Sequence, residues 1–190
     1  MSGLRERKRE RTRQAIADAA LDLFARQGFH ETTIPQIAEA ADVSPRTVSG
    51  YFPAKEDLAF PDAEEQVAEL EARLRARPQG ETAADALRSW IPGRIEDGPD
   101  QRRRRELVDA DEALSTYEHR FLDRAQVALA EAFAVDLGLA PGDLEPRMAA
   151  AATMTVFQVL GRDIAPGDSP LEALDRALVF IGGGIGALRA

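Results

Sequence analysis

The sequence predicts an all-α chain, with a three-helix helix-turn-helix head and a helical-bundle body. Apolar residues recur at three- and four-residue intervals in almost every segment, the period of a helix with one buried face. Cap residues precede those segments, with Pro in first turns and Gly beyond last turns. Strand signals are nearly missing. No alternating β-branched run occurs, and Asp97-Gly98, the nearest approach to a hairpin turn, is followed by Pro99 among charged residues.

Ile16, Ala19, Ala20, Leu23 and Phe24 form the first apolar stripe, and Gly28 ends that helix as a residue free to turn left-handed. Thr33 with Gln36 three residues on is a capping-box pattern that opens a second helix, and Pro35 falls in its first turn. Ser44 caps a third helix with Pro45 at its first position; Pro53 stops it, and Lys55 to Leu58 begins another. Further helices are predicted over about 62–77, from Thr82 to Pro92, and from near Arg102. Ser115 with Glu118 is read as the cap of a helix running to about Leu137, and Asp143 as the cap of one running to about Leu160. Ser169, Pro170 and Glu172 open the last helix. Residues 92–100, with two Pro and two Gly, read as a loop. The division expected is residues 1–55 for the head and 56–190 for the body.

The 190 residues are 44% hydrophobic and 30% charged, as in a soluble globular protein. Cys is absent, which excludes disulfides, thiolate metal sites and a Cys nucleophile. No apolar run of about 18 residues exists, and the basic N-terminus lacks the apolar stretch of a signal peptide. The expectation is a cytoplasmic protein without a membrane partner. The net charge of −9 is unevenly spread: residues 1–60 balance, and the body carries the whole excess. Arg5, Arg7, Lys8, Arg9, Arg11 and Arg13 crowd the start against Glu6 and Glu10. Two readings of that run stand, a phosphate-binding arm and a solvated, frayed terminus.

Thr33–Ala40, the turn Ala41-Asp42-Val43, and Ser44–Phe52 have the lengths of a helix-turn-helix that reads double-stranded DNA. Ala38 and Ala41 are small where the helices must cross, and Ile37, Val43 and Val48 are placed to plug the crossing. Asp42 occupies the turn position that favours positive φ. The second helix is too short to be stable alone. Packing must hold it, which frees its other face: Arg46, Ser49 and Gly50, with Thr47 and Tyr51 beside them. Arg suits a bidentate contact with guanine. Lys55 and the N–H groups near Thr33 are placed for phosphates.

Thr33-Ile34-Pro35-Gln36-Ile37-Ala38, Val43-Ser44-Pro45-Arg46-Thr47-Val48 and Tyr51-Phe52-Pro53-Ala54-Lys55-Glu56-Asp57-Leu58, preceded by the run Ala20 to Phe29, resemble the TetR family of regulators. The resemblance spans about residues 10–60. It implies an all-helical homodimer with a DNA-binding head and a ligand-binding body. It also implies that Arg46, Thr47, Ser49, Gly50 and Tyr51 face bases or nearby phosphates, and that Thr33, Tyr51 and Lys55 touch the DNA backbone. With Ser44 and Pro45 at the helix start, these make up the expected DNA-facing set. The sequence departs from the family twice: Asp42 stands where a turn Gly is usual, and Gly50 where a larger groove-facing residue is usual.

In the body, Leu171, Leu174, Leu178, Ile181, Ile185 and Leu188 form a heptad-like stripe on the last helix, and Ala173, Ala177, Phe180 and Gly184 a second. The preceding helix is doubled likewise, with Ala149, Ala152, Val156 and Leu160 on one side and Met148, Ala151, Thr155 and Val159 on another. A helix apolar on two sides needs two partners. The favoured reading is a homodimer through a four-helix bundle, with Val156, Leu160, Leu171, Leu174, Leu178, Ile181 and Ile185 at the interface. The competing one is an intramolecular core. Trp90, Arg94, Tyr117, Phe121, Met154 and Phe157 are the candidates to line a small-molecule site, although aromatics at helical spacing are more often core. Arg102 to Arg105 reads either as a site for an anionic ligand or as a solvated helix start.

No catalytic or metal-binding set is expected: only His30 and His119 are present, and no glycine-rich phosphate loop occurs. No cofactor is expected either. The function expected is a ligand-responsive regulator, most readily a repressor, that binds a palindromic operator as a dimer and is released by a small molecule. The alternative is a DNA-binding architectural or partner-regulated protein without such an effector.

Overall fold

A computed structural model describes residues 2–91, 99–163 and 170–187, with side chains at all of these except 2, 99, 160–163, 170, 171, 174 and 185–187. The described residues hold nine α-helices and no strand. The helices are α1 (Ser2–Gln27), α2 (Ile34–Ala40), α3 (Pro45–Tyr51), α4 (Ala63–Arg75), α5 (Ala83–Trp90), α6 (Pro99–Ala110), α7 (Glu112–Leu137), α8 (Leu144–Asp163) and α9 (Pro170–Ala187). A 3-10 turn, Glu56–Leu58, stands where a longer helix was expected. By compactness the chain forms two units, Met1–Ala63 with Gly98–Glu118, and Glu64–Asp97 with His119–Ala190.

The first unit is built on α1. Its apolar stripe, Ile16, Ala17, Ala20 and Phe24, is buried. Gly28 ends the helix at φ 87°, and its N–H reaches the Phe24 carbonyl at 2.9 Å. Phe29, Ile37, Ala38, Val48, Phe52, Leu58 and Ala59 complete a single core around that stripe. Two further members, Val108 and Leu114, come from α6 and the first turn of α7, some fifty residues away in sequence. Polar bonds reinforce the same attachment. Arg104 donates to the Ala59 carbonyl at 2.7 Å, and Arg103 lies 3.4 Å from Asp22. The Tyr117 hydroxyl donates to Asp57, and its ring stacks on Phe60. The Arg102–Arg105 run therefore does more than solvate a helix start: two of its members tie α6 to the head.

The start of α7 corrects one expectation. Ser115 is not its cap. Asp111 accepts the N–H groups of Ala113 and Leu114 at 3.0 and 3.1 Å, and the Ser115 N–H is already bonded to the Asp111 carbonyl. The acidic residue just beyond α6 offers the first orphan donors a stronger acceptor than a hydroxyl four residues later.

The second unit packs α4, α5, α8 and α9 with most of α7. Leu70, Leu74, Ala83, Leu87, Leu129, Phe133, Ala150, Leu178 and Ile181 lie in its core, and Trp90, Met154, Val156 and Phe157 pack against it. Leu178 and Ile181, expected at a subunit interface, are thus 5% and 4% exposed within the single chain. These two members of the heptad stripe face inward: the period of a stripe states how wide it is, not which neighbour covers it. The outward residues beside it are Val179 and Phe180, each 69% exposed. The side chains of Leu160, Leu171, Leu174 and Ile185 lie outside the described residues, as do Arg94, Ser169 and Leu188. Asp143 accepts the Ala140 N–H at 2.8 Å, so its side chain serves the preceding turn instead of capping α8.

Thr82 and Asp85 close a capping box at the start of α5. The Thr82 hydroxyl first, and its backbone N–H second, hold the Asp85 carboxyl below its usual range. A carboxyl depressed on folding adds stability that is complete above about pH 4 and is lost as pH falls through the folded value. A buried ion pair joins the same region to α7. Arg77 lies 3.2 Å from Asp136 and also donates to the Ala132 carbonyl, while Asp136 accepts the Ala83 N–H at 2.7 Å. Both side chains are under a tenth exposed. Asp136→Ala removes the partner of a buried guanidinium and an acceptor of the α5 N-terminus together. We expect it to destabilise the second unit by about 3–5 kcal/mol. Urea unfolding followed by fluorescence of Trp90, the single tryptophan, measures this.

Candidate nucleic-acid interface

The recognition candidate is α3, seven residues from Pro45 to Tyr51. Its N-terminus is closed by Ser44, whose Oγ accepts the Thr47 N–H at 3.0 Å and lies 2.7 Å from the Thr47 hydroxyl. Pro45 takes the first helical position, where its missing N–H leaves nothing unsatisfied. Val48 is fully buried and fastens the helix to the head core. One turn around, Arg46, Ser49 and Gly50 are exposed. Arg46 makes no ion pair or hydrogen bond among the described residues. A methyl group built on Gly50 would meet nothing within 4 Å. Tyr51 is partly buried and packs against the core at the helix end.

The turn before α3 depends on Asp42, which adopts φ 52°. That left-handed residue lets the Val43 N–H return to the Ala38 carbonyl at 2.9 Å, which fixes the angle between α2 and α3. α2 itself starts at Thr33 with both halves of the capping box formed. Gln36 Oε1 accepts the Thr33 N–H at 2.8 Å, and the Thr33 hydroxyl oxygen accepts the Gln36 N–H. Gln27 donates to the same Gln36 oxygen and to the Thr32 hydroxyl, which joins the end of α1 to the start of α2.

The expected DNA-facing set is therefore divided in what it does. Arg46, Ser49, Gly50 and Pro45 present an open face. Ser44 and Thr47 are exposed or half-exposed but already bonded to each other, and Thr33 to Gln36. Lys55 does something the sequence did not suggest. Its ammonium donates to the Phe29 and Thr32 carbonyls at 2.9 and 3.0 Å and lies 4.2 Å from the centre of the Phe29 ring. Two of its three donors hold the turn that carries Thr33. Arg9 and Arg13 of the basic run have contacts that the sequence reading did not foresee: Arg9 stands over the Tyr51 ring at 5.9 Å, and Arg13 lies over Phe52 and 2.7 Å from Asp62. The spacing of four between Arg9 and Arg13 was the available signal.

Of the candidates for a small-molecule site, Trp90, Met154 and Phe157 adjoin the second unit's core. Phe121 belongs to the same unit, with the Arg120 guanidinium 5.9 Å from its ring centre. Tyr117 is in the first unit, bonded to Asp57. An open groove of about 220 Å³ between α4 and α7 is lined by other residues, among them Glu71, Arg75, Arg124 and Val127.

A short helix pinned by one buried side chain, capped at its start and exposed along an Arg-bearing face, defines a helix-turn-helix DNA-binding protein. Comparison with known proteins agrees. A family model described as bacterial regulatory proteins, tetR family, matches residues 16–60. The HTH-type transcriptional regulator TcmR of Streptomyces glaucescens is 34% identical over 197 residues, covering 92% of this chain and 83% of its own. RutR of Escherichia coli K12 is 47% identical over 57 residues, 30% of this chain and 27% of its own. Among solved structures, NalD of Pseudomonas aeruginosa superposes with a TM-score of 0.64 at 22% identity, over 93% of this chain and 97% of that one. The chain belongs to the TetR family of bacterial regulatory proteins and is a DNA-binding transcriptional regulator.

Asp42 replaces a residue that tolerates positive φ better, and its side chain makes no bond among the described residues. Asp42→Gly should relieve part of the left-handed strain and raise the stability of the head by about 0.5–1 kcal/mol. Thermal unfolding checks this. A loss of stability would show that the carboxylate anchors the turn.

Proposed function

We propose that the chain is a ligand-responsive repressor that binds a palindromic operator as a homodimer and leaves it when a small molecule enters the body. The observation that carries the reading is the division of α3 between a buried Val48 and an unpaired, exposed Arg46. DNA reading is assigned to residues 1–55, which lie in the first unit, and ligand and dimer functions to the part of residues 56–190 that forms the second unit, with action in the cytoplasm where the operator lies. Two structural relatives support the repressor and effector parts. NalD is described as the secondary repressor of a multidrug efflux pump, and SmeT as a complex with triclosan. For this chain, Trp90, Phe121, Met154 and Phe157 are the residues assigned to an apolar, aromatic-tolerant effector site.

The dimer is assigned to outward faces of α8 and α9. Met148, Ala152, Thr155 and Val159 recur along one exposed face of α8, and Val179 and Phe180 are the exposed apolar residues of α9. Apolar side chains this large and this exposed are the signature of a surface that has a partner. A dimer that reads a palindrome needs its two α3 helices one DNA turn apart, about 34–36 Å.

Two measurements test the reading. In mobility shifts on DNA upstream of the chain's own gene, Arg46→Ala should cost about 1–3 kcal/mol at one base pair and relax the preference there. Uniform weakening on every sequence would make Arg46 a phosphate contact only. Release of the shifted complex by apolar aromatic compounds favours the effector reading over an architectural role, and release by none of them counts against it. In sedimentation velocity, Phe180→Glu should convert a dimer to folded monomer. An unchanged dimer would remove that face of α9 from the interface.

A further inference from the structure

The first four turns of α1 bury no side chain in the core. The helix begins at Ser2, yet its first buried residue is Ile16. Residues 3–11 are all exposed, including Leu4. The match to the family model also begins at residue 16. Residues 2–15 would span about 20 Å as a helix, a rise of about 1.5 Å per residue.

This segment is poorly suited to standing alone in water. Its first turn holds no acidic residue, so cations gather at the positive end of the helix dipole. Arg5 and Arg9, Arg7 and Arg11, and Arg9 and Arg13 are like-charged neighbours one turn apart. Arg13 is already committed to Asp62 and anchors the segment's base. Arg5, Arg7, Lys8 and Arg11 make no ion pair among the described residues. Helix stability accounts for none of this, whereas a row of anions beside the helix would neutralise both the dipole end and the four cations. The location supplies the row. Arg9 stands over Tyr51, the last residue of α3, so the basic segment starts where the reading helix ends.

We propose that residues 2–11 are a helical clamp on the phosphates of double-stranded DNA flanking the sequence read by α3. This rests on the reading of α3 as the recognition helix. The clamp adds affinity and salt sensitivity without base preference, because phosphates carry no sequence information. Double-stranded DNA presents one charge per about 1.7 Å of axis, so a segment of this length meets enough phosphates for four cations.

The test uses the full chain and two duplexes, one selected by the parent protein from a randomised pool and one scrambled. The variant is Arg5→Gln/Arg7→Gln/Lys8→Gln/Arg11→Gln, which keeps good helix formers at every position. Affinity is measured from about 50 to 300 mM salt. The slope of log affinity against log salt should fall by about 2–4 per protomer on both duplexes, at about 0.9 per lost phosphate contact. The ratio of selected to scrambled affinity should stay within about threefold. The charge-preserving variant Arg5→Lys/Arg7→Lys/Arg11→Lys should keep the parent's slope. An unchanged slope in the glutamine variant overturns the clamp, and so does a loss confined to the selected duplex. A parent that cannot distinguish the two duplexes sinks the regulator reading instead, and the slope on scrambled DNA then still decides the clamp.

Discussion

A seven-residue helix cannot hold itself in water, and everything in the head follows from having to hold one. Val48 is the single fully buried residue of α3, so the helix hangs from one side chain plus its two ends. The start is tied by Ser44 and the end by Phe52, whose N–H bonds the Val48 carbonyl and whose ring lies in the core. Ala38 is small where α2 must come close, and Asp42 accepts an awkward backbone so that the crossing angle can form. Burial of polar length and apolar length is arranged so that no side chain of the outer face has a duty to the fold.

The same constraint explains Lys55. A cation in a family-like position suggests a phosphate contact, but the chain must also fix the turn between α1 and α2 that presents Thr33. Two backbone carbonyls converge there, one of them otherwise bonded only by the Thr32 N–H at 3.3 Å, and the ammonium meets both. Charge across the molecule is sorted by a related logic. The acidic excess lies wholly beyond residue 60, while cations without an ion pair among the described residues collect on the first turns of α1.

What was legible in the sequence was whatever is written locally. Gly28, the Thr33–Gln36 box, the Ser44–Pro45 start and the helix start at Thr82 each lie within four residues of the structure they dictate, and all were legible, although the Asp85 half of the Thr82 box was not. The membership of α6 in the head was not legible. Val108 and Leu114 look like any helical apolar residues, and nothing nearby says that they pack against α1. The inward turn of Leu178 and Ile181 was hidden for the same reason, since a helix with two apolar sides does not state which side is covered by its own chain. Tyr117 reads as a pocket aromatic until Asp57, sixty residues earlier, is brought to its hydroxyl. The one clue that pointed beyond local rules was the Arg102–Arg105 run, placed where helix electrostatics disfavours it.

Gly50 has a consequence of a different kind. Thr47, Val48 and Tyr51 are occupied with the cap or with the core, but a side chain at position 50 would enter open space. Most substitutions in a DNA-binding helix must be weighed against the stability of the protein that carries them. At this position the weighing is nearly absent, and replacing glycine would even firm the helix. On the proposed reading of α3, position 50 is a blank letter, at which operator preference can drift by single codon changes while the fold stays indifferent.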